Sequence, residues 1–175
     1  MQVMRGVSPL QVLVTDTSVI IDLEHGSLLE ASFRLDCRFV VPDLLYEQEL
    51  ENFNGEELMR LGLVIEQLDD DGASLARTYL LQSRRLSPPD CSALALARTL
   101  PGVLLTGDND LKQFAIEKSV ECHGVLWLLD EIGDAGVASF QQLYNGLTAM
   151  WQHPDCRLPE HEVHRRLAHY AERLP

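Results

Sequence analysis

Residues 12–18, Val-Leu-Val-Thr-Asp-Thr-Ser, decide the fold. Three consecutive apolar residues without polar alternation read as a strand buried on both faces, which is the habit of a parallel sheet. The strand ends at Asp16, and Asp16-Thr17-Ser18 offers N-cap chemistry for a helix over Val19–Leu23 that stops near Gly26. A buried strand that passes into a helix through an acid is half of a β-α-β unit.

The pattern repeats outward from there. Phe39-Val40-Val41 is a second buried strand, stopped by Pro42. Asp43 can cap a helix from Leu44 to about Phe53, broken at Asn54-Gly55 and resumed over Glu56–Leu61. Leu63–Leu68 is a third strand, and Asp69-Asp70-Asp71-Gly72 leads into a helix over Ala73–Arg85. Ser87-Pro88-Pro89-Asp90 opens a helix over Cys91–Thr99. Val103–Thr106 is a fourth strand, followed by the loop Gly107–Asp110, a helix over Leu111–Lys118 and a short edge strand, Val120–His123. Strands alternating with helices predict an α/β fold of three α/β/α layers around a twisted, mainly parallel sheet. From Val125 the pattern is helical, through Val137–Trp151 to a polar helix over Glu160–Arg173. The expected organisation is a domain over residues 1–132 and a helical extension over 133–175, packed on the domain or on a second copy.

Composition narrows the function. The chain has 175 residues, 46% of them apolar, enough for one cored domain. It contains no apolar run of membrane-spanning length, and Met1–Gly6 does not read as a secretory signal. Cys37, Cys91, Cys122 and Cys156 form no Cys-x-x-Cys pair and read as reduced core fillers, so a cytoplasmic location is expected. The net charge of −13 argues against a plain nucleic-acid-binding module, whose affinity rests on Lys and Arg. It leaves room for a metal-dependent nuclease, because bound cations neutralise clustered carboxylates.

The acids at strand ends are the chemical signal. In parallel α/β sheets, ligands bind beyond the carboxyl ends of the strands, where strand order reverses. Asp16 ends the first strand, and Asp108 follows the fourth after one glycine. Glu47 lies one turn into the helix after the second strand, and Asp90 stands at the start of its helix. Four acids sharing one edge would repel unless a cation lay among them. Oxygen-only ligands favour Mg²⁺ or Mn²⁺, and such ions assist in-line attack on a phosphodiester. Taken singly, each acid also has a plainer reading. Asp16 and Asp90 can be helix caps, Asp108 a turn residue, and Glu47 a solvated neighbour of Glu49 and Glu51.

Four segments in order then resemble the PIN domain family: Val14-Thr15-Asp16-Thr17-Ser18, Val41-Pro42-Asp43-Leu44-Leu45-Tyr46-Glu47, Asp90-Cys91-Ser92-Ala93-Leu94-Ala95-Leu96-Ala97, and Leu105-Thr106-Gly107-Asp108-Asn109-Asp110. The resemblance spans roughly residues 11–132. It implies a metal-dependent endoribonuclease with Asp16, Glu47, Asp90 and Asp108 as catalytic, metal-holding acids and Asp110 as a further ligand. Thr17, Ser18 and Thr106 would be supporting polar residues. Many small bacterial members are VapC-like toxins, often dimeric and restrained by an antitoxin, so the resemblance also implies an RNA substrate and raises an antitoxin protein and a homodimer as partners. The helices beyond residue 133 depart from that toxin pattern. Arg84, Arg85 and Lys112 are candidates for guiding an RNA backbone to the acids.

The rival classes are a catalytically silent PIN-like binding module, and a phosphatase-like or DNA-directed hydrolase using the same acids. A zinc site from Cys156, His161, His164 and His169 fits no familiar ligand spacing. No Gly-x-Ser-x-Gly elbow or phosphate-cradling glycine loop occurs.

Overall fold

Five strands, β1 (Gln11–Thr15), β2 (Cys37–Pro42), β3 (Val64–Glu66), β4 (Val103–Leu105) and β5 (Cys122–His123), form one sheet in the computed structural model, which describes residues 10–175. The opening stretch Met1–Gly6, read above for targeting, lies outside the described residues. The strand order is β3-β2-β1-β4-β5, and every pairing is parallel. The chain winds outward from β1 to β3, then crosses back to lay β4 on the other side of β1. The switch point therefore lies between β1 and β4, where a parallel sheet leaves a crevice at its carboxyl edge. Central β1 meets Val40 on one side and Leu104 on the other through Val14, and all three are fully buried.

The helices follow from local chemistry. Asp16 caps α1 (Thr17–His25), its side chain accepting from the Val19 backbone, and Gly26 ends that helix as expected. Asp69 likewise caps α5 (Asp70–Gln82). α6 (Pro88–Thr99) begins earlier than its apolar run suggests. Ser87 is its cap, and Asp90 sits at the third helical position, closing a reciprocal capping box. The two prolines occupy the first helical positions, where a missing N–H costs nothing. Residues Cys91–Ala97 are all buried. Their small side chains let α6 lie between β1, β2 and β4 on one side and α5 on the other.

The segment after Pro42 departs from the expected continuous α-helix. A short α3 (Asp43–Leu45) runs into a π-helical turn, Tyr46–Leu50, in which the Glu51 N–H reaches back five residues to the Tyr46 carbonyl at 2.8 Å. α4 (Gly55–Leu61) follows, ended by Gly62 at a φ of 115°. The third and fifth strands are shorter than their apolar runs, at three and two residues.

The remaining helices are α2 (Leu29–Ser32), α7 (Asn109–Glu117), α8 (Val125–Asp134), α9 (Phe140–Gln152) and α10 (Glu160–Ala171). With helices on both faces of the sheet, the architecture is the expected three-layer α/β/α sandwich. α9 packs on α1 at a glycine contact: a Cβ built on Gly146 would lie 2.7 Å from the Gly26 carbonyl oxygen and 2.5 Å from Leu28 Cδ1. α10 packs on α9. The polar reading of the last helix misses its inner face, where Val163, Arg166 and Tyr170 are buried. Arg166 forks onto Asp130 at 2.9 and 2.6 Å and reaches Glu162 at 2.7 Å, tying α10 to α8. All four cysteines are free thiols, and only Cys91 is fully buried. No helix among the described residues is long and apolar enough to cross a membrane.

Candidate active site

Asp16 is the organising residue. It stands at the carboxyl end of β1 beside the switch point, and its side chain is only 5% exposed. Its backbone N–H bonds to the Leu105 carbonyl at 3.0 Å, which stitches it to the end of β4. Three donors hold its carboxylate. Ser18 donates to Oδ1 at 2.6 Å, the Val19 N–H reaches the same oxygen at 3.2 Å, and the Thr106 hydroxyl donates to Oδ2. Burial pushes its pKa up to about 6, against the lowering pull of these hydrogen bonds, and the nearby charge of Asp90 raises it further.

The loop after β4 is woven into the same network. The Asp108 N–H donates to Thr106 Oγ1 at 3.0 Å, and the Gly107 N–H donates to Ser18 Oγ at 2.8 Å. Gly107 makes this a close approach, since a Cβ there would lie 3.1 Å from Ser18 Oγ and the serine would have to give by a few tenths of an ångström. Asp108 is exposed and caps α7, its Oδ1 accepting from the Leu111 N–H at 2.9 Å. Asp90 spends Oδ2 on the Ser87 N–H at 2.9 Å. Asp16 and Asp108 are helix caps as their plainer readings expect, whereas the cap of α6 is Ser87 and Asp90 answers it from the third helical position; capping uses one oxygen of each acid and leaves other lone pairs free.

The outer residues are distributed differently. Glu47 is exposed on the π-helical turn. The acid of that turn in contact with the site's first helix is Glu49, whose Oε2 accepts from Thr17. The alternating acids Glu47, Glu49 and Glu51 carry no mark in the sequence that would have singled out Glu49. The π-turn resets the phase of the helix, and no propensity announces it. Asp110 is exposed and paired with Arg85 at 3.1 Å, so these two candidates engage each other. Arg84 and Lys112 are exposed. A half-buried acid unremarked in the sequence, Asp22, lies one turn beyond Ser18 on α1, with Oδ2 4.0 Å from the position a Cβ on Gly107 would take. Burial raises its pKa, opposed by His25 and His153, whose rings stack at 3.6 Å. The i, i+4 spacing from Ser18 to Asp22 was the available signal.

The donor set suits a hard divalent cation. It is made of carboxylate oxygens, and its central member is a desolvated carboxylate whose hydrogen-bond partners among the described residues are uncharged donors. A cation beside Asp16 would supply the counter-charge that burial withholds. Among the described residues, no three His, Cys, Asp or Glu side chains stand close enough together to chelate an ion as they are.

Comparison with known proteins agrees with this architecture. A solved PilT N-terminus domain protein from the hyperthermophilic archaeon Sulfolobus solfataricus P2 superposes with a TM-score of 0.54 at 15% identity, covering 70% of this chain and 93% of that one. At that identity the likeness speaks for the fold alone. No curated protein matches the chain. A family model described as PIN domain aligns with residues 12–172, from the first strand through the last helix, and the chain belongs to the PIN domain family.

Proposed function

We propose that the protein is a metal-dependent endoribonuclease that cleaves RNA phosphodiester bonds at the carboxyl edge of the sheet. The observation that carries this reading is Asp16: a carboxylate buried at the switch point, held by three donors, felt by Asp90, and joined through Thr106 to the Asp108 loop. A structural cap has no need of so much desolvation, whereas a cation ligand profits from a fixed and dry anion.

In this reading Asp16 would hold Mg²⁺ or Mn²⁺, with Asp90 and Asp108 drawing in to complete the set, since the three do not stand at chelating distance as they are. When bound, such an ion would supply Lewis-acid stabilisation of the charge that develops on a scissile phosphate. Thr106 and Ser18 fix the Asp16 rotamer. Glu47 completes the acidic site or orients the attacking water, with Glu49 beside it holding Thr17. Arg84 and Lys112 meet the RNA backbone, while Arg85 steadies Asp110. The four free thiols suit a reducing compartment such as the cytoplasm.

The test pairs metal binding with substrate choice. Mn²⁺ is titrated into the chelator-treated protein, and RNA, DNA and small phosphoesters are offered with Mg²⁺ or Mn²⁺. The reading expects Mn²⁺ binding and RNA cleavage, both lost in Asp16→Asn. Cleavage that survives Asp16→Asn together with chelation overturns it. Absence of both binding and cleavage favours the silent module, and turnover of DNA or small esters in place of RNA favours the broader hydrolase.

A further inference from the structure

We propose that the cleft between α3, α5 and α6 is a guanine-selective nucleobase subsite for the RNA that enters the candidate active site. The inference rests on the ribonuclease reading and adds to it what gives the enzyme affinity and sequence choice.

The cleft has a volume of about 310 Å³ and apolar walls from Leu44, Leu68, Ala76, Leu80 and Pro88. Its polar lining includes Asp43, Arg77 and Ser92. It opens at the same sheet edge as the acids. Val14 pairs with Val40, so continuing the register by two residues sets Pro42 beside Asp16, and Asp43 is the next residue. On α6, Pro88, Cys91 and Ser92 line the cleft and bracket Asp90 in sequence.

The charge of the chain favours such a subsite. At −13 the chain draws RNA by counter-charge less than a basic protein does, even with Arg84 and Lys112 on its surface. Apolar and stacking contact with bases adds affinity that phosphate contacts supply only weakly. Asp43 and Arg77 determine which base. One Asp43 oxygen accepts from the Leu44 N–H at 2.8 Å, leaving the second, with its two lone pairs, to accept from two adjacent base N–H groups. Arg77 is exposed on the outer helix of the cleft and takes part in no carboxylate pair among the described residues. Guanine matches an acceptor and a guanidinium together: N1–H and N2–H₂ face a carboxylate, and O6 and N7 face Arg. Uracil offers one imino N–H and no amino group to Asp43.

Guanosine and uridine 5′-monophosphates are titrated into isotope-labelled, full-length Asp16→Asn protein, and backbone amide NMR shifts are followed, so that binding is read without turnover. The proposal expects guanosine-dependent shifts at Leu44, Ala76, Leu80 and Ser92, with uridine several-fold weaker. Asp43→Asn keeps the oxygen that accepts from Leu44 and should weaken guanosine binding about tenfold. Leu80→Glu, at a position 39% exposed, should block the cleft without touching the core. Shifts confined to other surfaces, or equal response to both nucleotides, overturn the subsite. Cleavage maps of mixed-sequence RNA separate the two ideas. Guanosine binding in the cleft without any cleavage by the unsubstituted protein defeats the ribonuclease reading and leaves the cleft a nucleotide site. Cleavage with no guanine preference, unchanged by Asp43→Asn, defeats the subsite and leaves the ribonuclease reading intact.

Discussion

Replacing Asp16 with asparagine should make the metal-free protein more stable while abolishing its proposed activity. An ordinary aspartate titrates at 3.8, and burial raises Asp16 to about 6. Each pH unit between them corresponds to about 1.4 kcal/mol, so the ionised carboxylate costs the fold about 3 kcal/mol above pH 6. The native state holds its proton more tightly than the unfolded chain, and stability therefore falls as pH rises from about 4 to 6. Below 3.8 both states are protonated and the cost vanishes. An amide carries no charge and can still accept from Ser18 and Val19, but it meets the Thr106 hydroxyl with a donor, a mismatch worth about 1 kcal/mol. The net expectation at pH 7.5 is a gain of about 2 kcal/mol, or roughly 4–8 °C in Tm for a chain of this size. At pH 4 the variant should be slightly weaker than the unsubstituted protein. Urea unfolding with chelator at the two pH values measures both quantities. Saturating Mn²⁺ should then reverse the order at pH 7.5, since a ligand at a hundred times its Kd stabilises the binding-competent protein by about 2.7 kcal/mol. If the variant is no more stable at pH 7.5 than at pH 4, each relative to the unsubstituted chain, the desolvation argument is wrong.

Two further substitutions test the packing that supports the site. Tyr170 is buried with a hydroxyl that finds no partner among the described residues; Tyr170→Phe removes this unsatisfied group and should raise stability by about 1 kcal/mol in urea unfolding, whereas a loss would reveal an ordered water on that oxygen. Gly146→Ala drives a methyl group into Leu28 and the Gly26 carbonyl; it should cost about 1–3 kcal/mol, and an unchanged denaturation midpoint would show that α9 is not seated on α1.

The elements that sequence reading recovers are those in which one physical signal dominates. Val12-Leu-Val14 and Phe39–Val41 are too apolar to lie anywhere but a sheet buried on both faces, and they form its centre. Asp16 and Gly26 act where cap chemistry assigns them, and Asp69 caps an α5 that begins at Asp70, ahead of the expected start at Ala73. Ser87, rather than Asp90, caps α6, because a serine before two prolines with an acid three residues on completes a capping box, a pattern outweighed in the sequence by the more conspicuous acid. The short edge strands defy reading because their ends depend on what their neighbours can pair. The π-turn at Tyr46–Leu50 and the pairing of Arg85 with Asp110 are tertiary outcomes, invisible to composition or spacing.

That division also explains what was legible in the site. Asp16, Thr106 and Asp108 are placed by strand ends, and strand ends are the best-marked features of a parallel sheet. Asp16 and Thr106 meet across β1 and β4 because β4 lies beside β1, a strand order that right-handed crossovers constrain without fixing. Glu47 and Glu49 ride on a helix whose phase is reset by one wide turn, so the sequence could name the acidic stretch but not the member that reaches Thr17. A site built this way keeps its anion rigid on sheet and cap while its outer acids sit on exposed, adjustable helix surface. Under the proposed function, such a division would suit a cation held firmly at one carboxylate and more loosely by the others, with room left for a phosphate to approach.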